Sequence, residues 1–566
     1  MDRALKIFLL SFFLTLSWAW IKPFYTKGEA REALAAEAIL NEGRWILPIR
    51  YGDEIATKPP LTHWFMAILS LPFGQVTEGS ARLPSVFLSS LTLALFFVFL
   101  RKRIPEKEAI LASCILFGTI EWQRASMTAR VDMTLAAFLL LSLFNFYEWE
   151  ESGFTKFPLG ASLLLSFATL AKGPVALALP AAILSLYLLM IKYQVPFIIK
   201  KLFLPFLLAL SIPALWYLLA FILGGEEFKE VALNENFRRF LGTMDGGDIP
   251  HANSVWYLYG TVVIGLLPWC FLPLIGACKT VVNKEAWPDL FNTLRLKLQS
   301  ISKLHLFSII SIFVFIFFYS IPSSKRSVYL LPIYPFLSLL LAPYFTAHAS
   351  RFTLELRLAG SVLCGAIIFI YATSFLTMTG AFYPDWFISS EQKLRDVYFY
   401  FSIIEGIRNL PVYQKLLLLI PLILSVTYLM ISLRGKRGSL FALTSAYFVL
   451  LVMLNYVLLP YLATYLCAKD FAQALDEKLK CQTLYSYGKR FYDVDYYYCG
   501  GMQEINKKLL SNIKDPFSLL VLERQYDEFT EWAQGKFIFQ KKLVASHPIE
   551  KINNIPVLIE VRQHQN

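Results

Sequence analysis

Blocks of consecutive apolar residues recur along most of the chain and constrain its fold more than any other feature. Each block is about 17–25 residues long, which as a helix spans the roughly 30 Å hydrocarbon core of a bilayer. Charged residues make up 17% of the 566 residues, whereas a soluble chain carries about 25%. The pattern predicts a mainly α-helical, polytopic membrane protein and excludes a soluble multidomain protein. We predict about thirteen helices, near residues 7–23, 84–100, 108–121, 131–147, 158–172, 174–191, 203–223, 255–277, 304–320, 329–347, 358–378, 413–432 and 439–459.

The loop charges predict an orientation. The net charge is +12, but the cations lie in short loops between apolar blocks, which is typical of membrane topology and not of nucleic-acid binding. The first apolar block has no cleavage site, so we interpret it as an uncleaved helix with its N-terminus inside. An odd number of helices then predicts a transmembrane domain at 1–459, with a first extracytoplasmic loop at 23–83, and a soluble extracytoplasmic domain at 460–566.

This C-terminal domain mixes aromatic runs with short apolar strands near 518–522 and 557–561, which predicts a small α/β domain. Cys481 and Cys499 lie in it. An extracytoplasmic location would permit a disulfide between them.

The outside loops contain many cations, contrary to the positive-inside rule. They are Lys27, Arg31, Arg44, Arg50, Lys58, Arg82, Arg124, Arg130, Arg238, Arg239 and Lys325. Any one of them is explained by a long side chain reaching the lipid headgroups. For the whole set, we favour a site for an anionic ligand such as a lipid phosphate at the outer membrane face.

The first outside loop is strongly patterned. It contains Glu-x-Arg at 29–31, Gly-x-Trp-x-x-Pro at 43–48, Lys-Pro-Pro-Leu at 58–61 and Arg-Leu-Pro-Ser at 82–85. Glu29, Glu32 and Ala36 fall on one face at helical spacing, so we expect short helices along the membrane surface. Further patterned segments follow at 129–135, 171–174, 251–269 and 324–332.

In this order the motifs resemble those of the polyprenyl-phosphate-sugar glycosyltransferases of the C-type membrane fold. The resemblance covers about residues 20–345; it is strongest to the bacterial lipid A aminoarabinose transferases and weaker to the protein O-mannosyltransferases. It implies that a sugar arrives on undecaprenyl phosphate at the outer face of the bacterial inner membrane and moves to a lipid or protein acceptor. The expected partners are the lipid-linked donor, the acceptor and membrane lipids. Nucleic acid is not expected, and a nucleotide is not needed, which agrees with the absence of a P-loop or GxGxxG pattern.

The resemblance also implies site residues. The leaving group is a lipid phosphate, so cations and hydrogen-bond donors are needed around it. By position, Lys58, Arg31 and Tyr329 would contact that phosphate. Further candidates for the phosphate site are Lys325, Arg130, Arg238, Arg82 and Lys172.

Two positions depart from the family pattern. The family usually has an acidic residue directly before Glu29, where this chain has Gly28, and a Glu before Lys-Pro-Pro, where it has Thr57. In the aminoarabinose transferases that Glu and a histidine equivalent to His251 contribute to a metal position. A divalent metal at His251 is therefore the one cofactor that the resemblance implies. Because Thr57 stands where the family has the Glu ligand, this chain lacks one of the metal ligands.

Glu29 and Asp132 are the candidate catalytic carboxylates. A hydroxyl acceptor needs a general base, and either residue would then serve. A lipid A phosphate is already ionised, and the carboxylates would then orient it or stabilise positive charge at the anomeric carbon. Glu29 also permits a surface ion pair with Arg31, and Asp132 an N-capping role.

Other functions stay open at this stage. A protein O-glycosyltransferase of the mannosyltransferase type shares the resemblance. A polyprenyl-lipid transporter is a second alternative, although the sequence contains no internal repeat of the kind that transporters tend to have. A non-catalytic assembly factor that binds a partner through its tail is a third.

Overall fold

The computed structural model describes residues 2–238, 253–271, 273–276, 301–349, 354–378, 411–433, 447–505, 515–533, 537–550 and 554–563. Within these ranges, seven helices are long and apolar enough to cross a membrane. They lie at Arg3–Trp20, Glu78–Arg101, Val131–Glu151, Val195–Asn236, Lys303–Ser320, Ser327–Ala347 and Tyr447–Leu479. The protein is therefore a multi-pass membrane protein, as the apolar blocks predicted.

The described part of the membrane region consists of successive helices. They are α1 (Arg3–Trp20), α2 (Lys27–Glu42), α3 (Leu61–Ser70), α4 (Glu78–Arg101), α5 (Glu106–Phe117), α6 (Ile120–Ser126), α7 (Val131–Glu151), α8 (Leu159–Lys172), α9 (Val175–Met190), α10 (Val195–Leu233), α11 (Val255–Gly265), α12 (Lys303–Ser320), α13 (Tyr334–Ala349), α14 (Leu354–Met378), α15 (Val412–Leu433) and α16 (Leu459–Tyr465). A 3-10 helix at Ser327–Ile333 precedes α13, so the helix predicted at 329–347 begins with a tighter turn.

Local sequence explains where several of these helices begin and end. The Thr77 side chain accepts the backbone N–H of Ser80 in a capping box that starts α4. Helix α8 ends at Gly173, whose φ of 99° is disfavoured for other residues, and Pro174 then leads into α9. The break predicted at Lys172 is therefore confirmed, and it leaves the Lys172 side chain at the end of α8.

The first loop folds as a compact unit over the ends of the spans. It consists of α2, α3 and between them a small hairpin of β1 (Ile49–Arg50) and β2 (Glu54–Ile55). Ile49 pairs with Ile55 in this antiparallel hairpin. The predicted face of α2 is buried, with Glu29 0% and Glu32 2% exposed.

The C-terminal part is a small α/β domain, as predicted. Its sheet has the order β4-β3-β5-β7-β6, with parallel pairs at β3 and antiparallel pairs at β7. The elements are α17 (Lys469–Leu479), β3 (Leu484–Ser486), α18 (Tyr492–Tyr497), β4 (Met502–Glu504), β5 (Phe517–Leu522), α19 (Glu523–Ala533), β6 (Phe537–Val544) and β7 (Pro556–Gln563). A disulfide joins Cys481 to Cys499.

This domain shares one apolar core with the first loop. Side chains of α2 such as Ala33 and Ile39 belong to the same buried cluster as Leu475 and Val494 of the domain. The contact is also polar: the Tyr497 hydroxyl accepts the backbone N–H of Phe24 at 2.9 Å and lies 2.9 Å from a Glu78 oxygen, to which it donates. The loop and the domain are therefore packed as one body above the membrane helices.

Candidate active site

Three of the predicted phosphate-binding residues line one pocket. The pocket has a volume of about 110 Å³ and lies where α8, α12 and the segment before α3 meet. Lys58, Lys172 and Tyr329 contribute to its wall, together with Pro174, Val175, Glu235, Asn236, Phe318, Tyr319, Pro322 and Ser324. Two ammonium groups and a phenol around one pocket form a suitable environment for a phosphate.

Chain-breaking residues position both lysines. Lys58 directly precedes Pro59 and Pro60, which restrict its backbone to an extended form. Lys172 is the last residue of α8 before the Gly173 turn. The Lys172 ammonium lies 4.5 Å from the centre of the Tyr329 ring, and that ring stacks on Tyr319 with the two centroids 5.0 Å apart. The pocket wall is therefore held by helix ends and ring contacts and not by a long loop.

Asp132 lies directly behind this pocket, at the start of α7. Its side chain is 5% exposed and accepts a hydrogen bond from the Lys172 Nζ at 2.6 Å. The Arg130 Nε lies 3.4 Å from the other carboxylate oxygen. Both carboxylate oxygens are engaged by cations, so Asp132 is not placed to take a proton from an acceptor in this arrangement.

Arg130 occupies the space next to Gly28. A β-carbon placed on Gly28 would lie 1.7 Å from the Nη1 of Arg130, so the present arrangement admits only glycine at this position. In place of the acidic residue of the family pattern, the space beside Gly28 holds the guanidinium group of Arg130, the residue directly before α7. This place therefore contributes a cation, and no carboxylate, beside Asp132.

Glu29 is buried away from the pocket. One oxygen accepts from the Arg82 Nε at 2.7 Å and from the backbone N–H of Ala129 at 3.2 Å. The Arg82 guanidinium also donates to the carbonyls of Ala19 at 2.8 Å and Pro23 at 3.0 Å, and to that of Lys22. Both side chains are fully buried. Their geometry joins the end of α1, α2 and the segment before Arg130, which favours a positioning role over proton transfer.

Arg31 is engaged by its sequence neighbour. Its Nη2 donates to one oxygen of Glu32 at 2.6 Å, and the fully buried His63 donates to the other oxygen at 2.8 Å. Burial would raise the pKa of the Glu32 carboxyl, but the charge of Arg31 and the hydrogen bond from His63 hold it well below its ordinary value. Arg31 is about one quarter exposed and does not line the pocket as described.

The remaining candidates lie elsewhere. The Lys325 ammonium is buried and donates to the carbonyl of Pro322 at 2.6 Å. Arg238 donates to Glu230 and Asn234, both at 2.9 Å, along its own segment. His251 lies outside the described residues.

The described residues do not supply a divalent-metal site of the expected kind. Thr57 offers one hydroxyl where the family pattern has a carboxylate. The one group of three possible ligands in the described part of the chain is Asp476 with Cys481 and Cys499. Those two sulfurs are joined in the disulfide and are not thiolate ligands.

Glu235 is the pocket residue that the sequence reasoning missed. It lies in a π-helical turn at Asn234–Arg238, and its Oε2 accepts from the Lys58 Nζ at 2.5 Å. The sequence pattern in this segment points to its cations and not to its carboxylates. A π-helical turn often marks a functional site, but it is not readable from sequence.

Comparison with known proteins agrees with the resemblance. Residues 57–217 match the family model described as dolichyl-phosphate-mannose-protein mannosyltransferase. An undecaprenyl phosphate-alpha-4-amino-4-deoxy-L-arabinose arabinosyl transferase of Yersinia enterocolitica is 25% identical over 342 residues, covering 59% of this chain and 58% of that protein. An uncharacterized protein of Aquifex aeolicus is 26% identical over 351 residues, covering 60% of this chain and 65% of the relative. The chain thus spans about three fifths of the length of these relatives.

The crystal structure of ArnT from Cupriavidus metallidurans bound to undecaprenyl phosphate has the same fold. The two structures superpose with a TM-score of 0.71 over 98% of this chain and 97% of that one, at 16% identity. The C-type membrane fold predicted from the motifs is confirmed, together with the small C-terminal α/β domain predicted from the composition of the tail.

Proposed function

We propose that the protein is a glycosyltransferase that moves a sugar from undecaprenyl phosphate to an anionic envelope acceptor, a lipid A phosphate, at the outer face of the bacterial inner membrane. The observation that carries this proposal is the pocket formed by Lys58, Lys172 and Tyr329, with Asp132 held between cations behind it. The fold shared with a structure that contains undecaprenyl phosphate supports it.

The charge change during transfer explains the cations. The acceptor oxygen attacks the anomeric carbon, the bond from that carbon to the carrier's phosphate oxygen breaks, and the phosphate leaves with the electron pair. A phosphodiester with one negative charge thereby becomes a phosphomonoester with a charge of about −1.5 to −2. Lys58 and Lys172 are placed to stabilise that added charge, which lowers the barrier.

An apolar surface leads to the pocket and fits the prenyl chain. Phe313, Phe317 and Ile321 are about 60% exposed and lie four residues apart along and just beyond α12. The next residues on this segment, Phe318, Tyr319 and Pro322, line the pocket. A lipid lying along this face would bring its phosphate to the two lysines.

The state of the carboxylates favours an acceptor that is already ionised. Asp132 is engaged by Lys172 and Arg130, and Glu29 by Arg82. Neither is placed to take a proton from a hydroxyl group. A phosphate acceptor needs no base, and Arg130 beside Gly28 adds a cation that attracts it.

Mass spectrometry of lipid A and of envelope glycans, with and without the gene, tests this function. We expect a sugar on a lipid A phosphate that disappears on deletion and returns with the wild-type gene. Lys58→Ala, Lys172→Ala and Asp132→Asn should not restore it, whereas Lys229→Ala, which alters an exposed pair with Glu226, should. Loss of a sugar from a protein Ser or Thr instead would identify an O-glycosyltransferase, and an unchanged envelope would refute the proposal.

A further inference from the structure

Lys58 already has an anionic partner in the candidate site. The Glu235 carboxylate lies 2.5 Å from its ammonium, and the two side chains are 17% and 16% exposed. Glu235 is the one carboxylate among the described residues that line the pocket. The Glu235 carboxylate therefore occupies the ammonium group that would bind the donor phosphate in the proposed function.

We propose that Glu235 and the carrier's phosphate compete for Lys58, so that Glu235 weakens binding of the polyprenyl-phosphate product and speeds its release. This inference rests on the proposed function and adds a specificity-determining residue to it. It requires that the carboxylate and the phosphate exclude one another at Lys58.

Size and charge both support that exclusion. The pocket holds about 110 Å³, and a phosphate beside Lys58 would be in direct contact with the carboxylate. Two anions at contact distance repel strongly where burial lowers the effective dielectric constant. Binding of the phosphate therefore displaces Glu235.

The segment that carries Glu235 is anchored next to it. The Nδ2 of Asn236 donates to the Ala232 carbonyl at 2.9 Å and to the Tyr217 hydroxyl at 3.4 Å. Its Oδ1 packs against Gly173, where a β-carbon would be only 2.7 Å away. Asn236 thus holds the π-helical turn against the α8–α9 break, which keeps Glu235 beside Lys58.

The chemistry of transfer makes such a competitor useful. The product phosphate carries more negative charge than the donor, so Lys58 and Lys172 bind the product more tightly than the substrate. Tight product binding would limit turnover, and product release is rate-limiting in many enzymes. A carboxylate that returns to Lys58 shifts this balance towards release.

Direct binding measurements test the competition. The probe is undecaprenyl phosphate, titrated against the full-length protein in nanodiscs. We expect Glu235→Gln and Glu235→Ala to lower its Kd about tenfold, as close charge pairs commonly contribute. Glu226→Gln is the matched control, because Glu226 is an exposed carboxylate nine residues earlier, paired with Lys229; its Kd should equal that of the wild type.

A double-mutant cycle separates competition from a general structural effect. In a Lys58→Ala background, Glu235→Gln should leave the Kd unchanged, because the shared cation is gone. In steady-state assays Glu235→Gln should increase product inhibition and lower both kcat and KM, because slower product release lowers both.

The outcomes distinguish the two proposals. Binding by the wild type with an equal or weaker affinity in both Glu235 variants overturns the competition alone. A tenfold gain that persists without Lys58 also overturns it. If neither the wild type nor any variant binds undecaprenyl phosphate, the proposed function fails, and the inference fails with it.

Discussion

The contact between Gly28 and Arg130 gives a sharp prediction. Gly28→Ala adds a methyl group that would lie 1.7 Å from the Nη1 of Arg130. The guanidinium must move by about 2 Å to reach an ordinary contact distance of about 3.5–4 Å. The guanidinium is at the flexible end of the Arg130 side chain, so it can move away without disturbing the backbone. Its distance from the Asp132 carboxylate then increases.

The cost follows from the distance. The Arg130 Nε is 3.4 Å from the Asp132 oxygen. Moving one charge to about 5.4 Å at an effective dielectric constant of about 20 weakens the attraction by about 1.8 kcal/mol. If Arg130 acts in the transition state, kcat/KM should fall by up to about twentyfold. The free energy of unfolding should change by only about 1 kcal/mol, because the preference for alanine over glycine in a helix, about 1 kcal/mol, offsets part of the weakened ion pair.

The assay is transfer from a sugar-loaded undecaprenyl phosphate in nanodiscs, with thermal unfolding measured in parallel. Arg130→Ala should lower kcat/KM at least as much, and Gly28→Ala should have no further effect in that background. Gly160→Ala is the matched control, since Gly160 is also the second residue of its helix and a β-carbon there meets only Asn145, at 3.6 Å. Full activity of Gly28→Ala together with an inactive Arg130→Ala would refute the reasoning, as would losses that add in the double variant.

Three further predictions concern stability. Glu29→Gln leaves the buried Arg82 without its counter-charge and should destabilise the fold by about 3 kcal/mol. If the unfolding temperature is unchanged and transfer is abolished, Glu29 acts in catalysis and not in positioning. Burial raises the pKa of Glu37 to about 8 and that of Asp495 to about 7. Between the unfolded-state pKa near 4 and the folded-state value, each acid is ionised in the unfolded chain but protonated in the fold. The unfolding temperature should therefore fall from about pH 4 to about pH 8, and replacing both by amides should flatten that profile. Cys481→Ser opens a cross-link of 18 residues and should cost the C-terminal domain about 3 kcal/mol. The loss should be seen as faster proteolysis than in a Glu528→Gln control, which changes an exposed side chain of α19.

The sequence predicted the positions in the candidate site that depend on neighbouring residues alone. Lys58 stands before two prolines and Lys172 before a Gly-Pro turn, so each side chain is placed by its own neighbours. The apolar blocks likewise predicted the helices, because one helix of that length spans the membrane by itself. These features need no knowledge of distant contacts.

The roles of Glu29 and Arg82 were not readable in the same way. Both belong to patterned motifs, but whether they face the pocket depends on how the end of α1 packs against α2 and α4. The partner of Lys58 was also out of reach, since Glu235 is 177 residues away in the sequence. Buried ion pairs between distant segments follow from tertiary packing, which a single sequence does not display.

The apolar core shared by the first loop and the C-terminal domain has a consequence for biosynthesis. The hydrogen bond between Phe24 and Tyr497 joins residues 473 positions apart. The ribosome therefore makes α2 and its hairpin long before the residues that cover them, and their apolar faces stay uncovered until the segment around Tyr497 has been made. A chain that stops before this segment leaves the apolar surface exposed to chaperones and proteases.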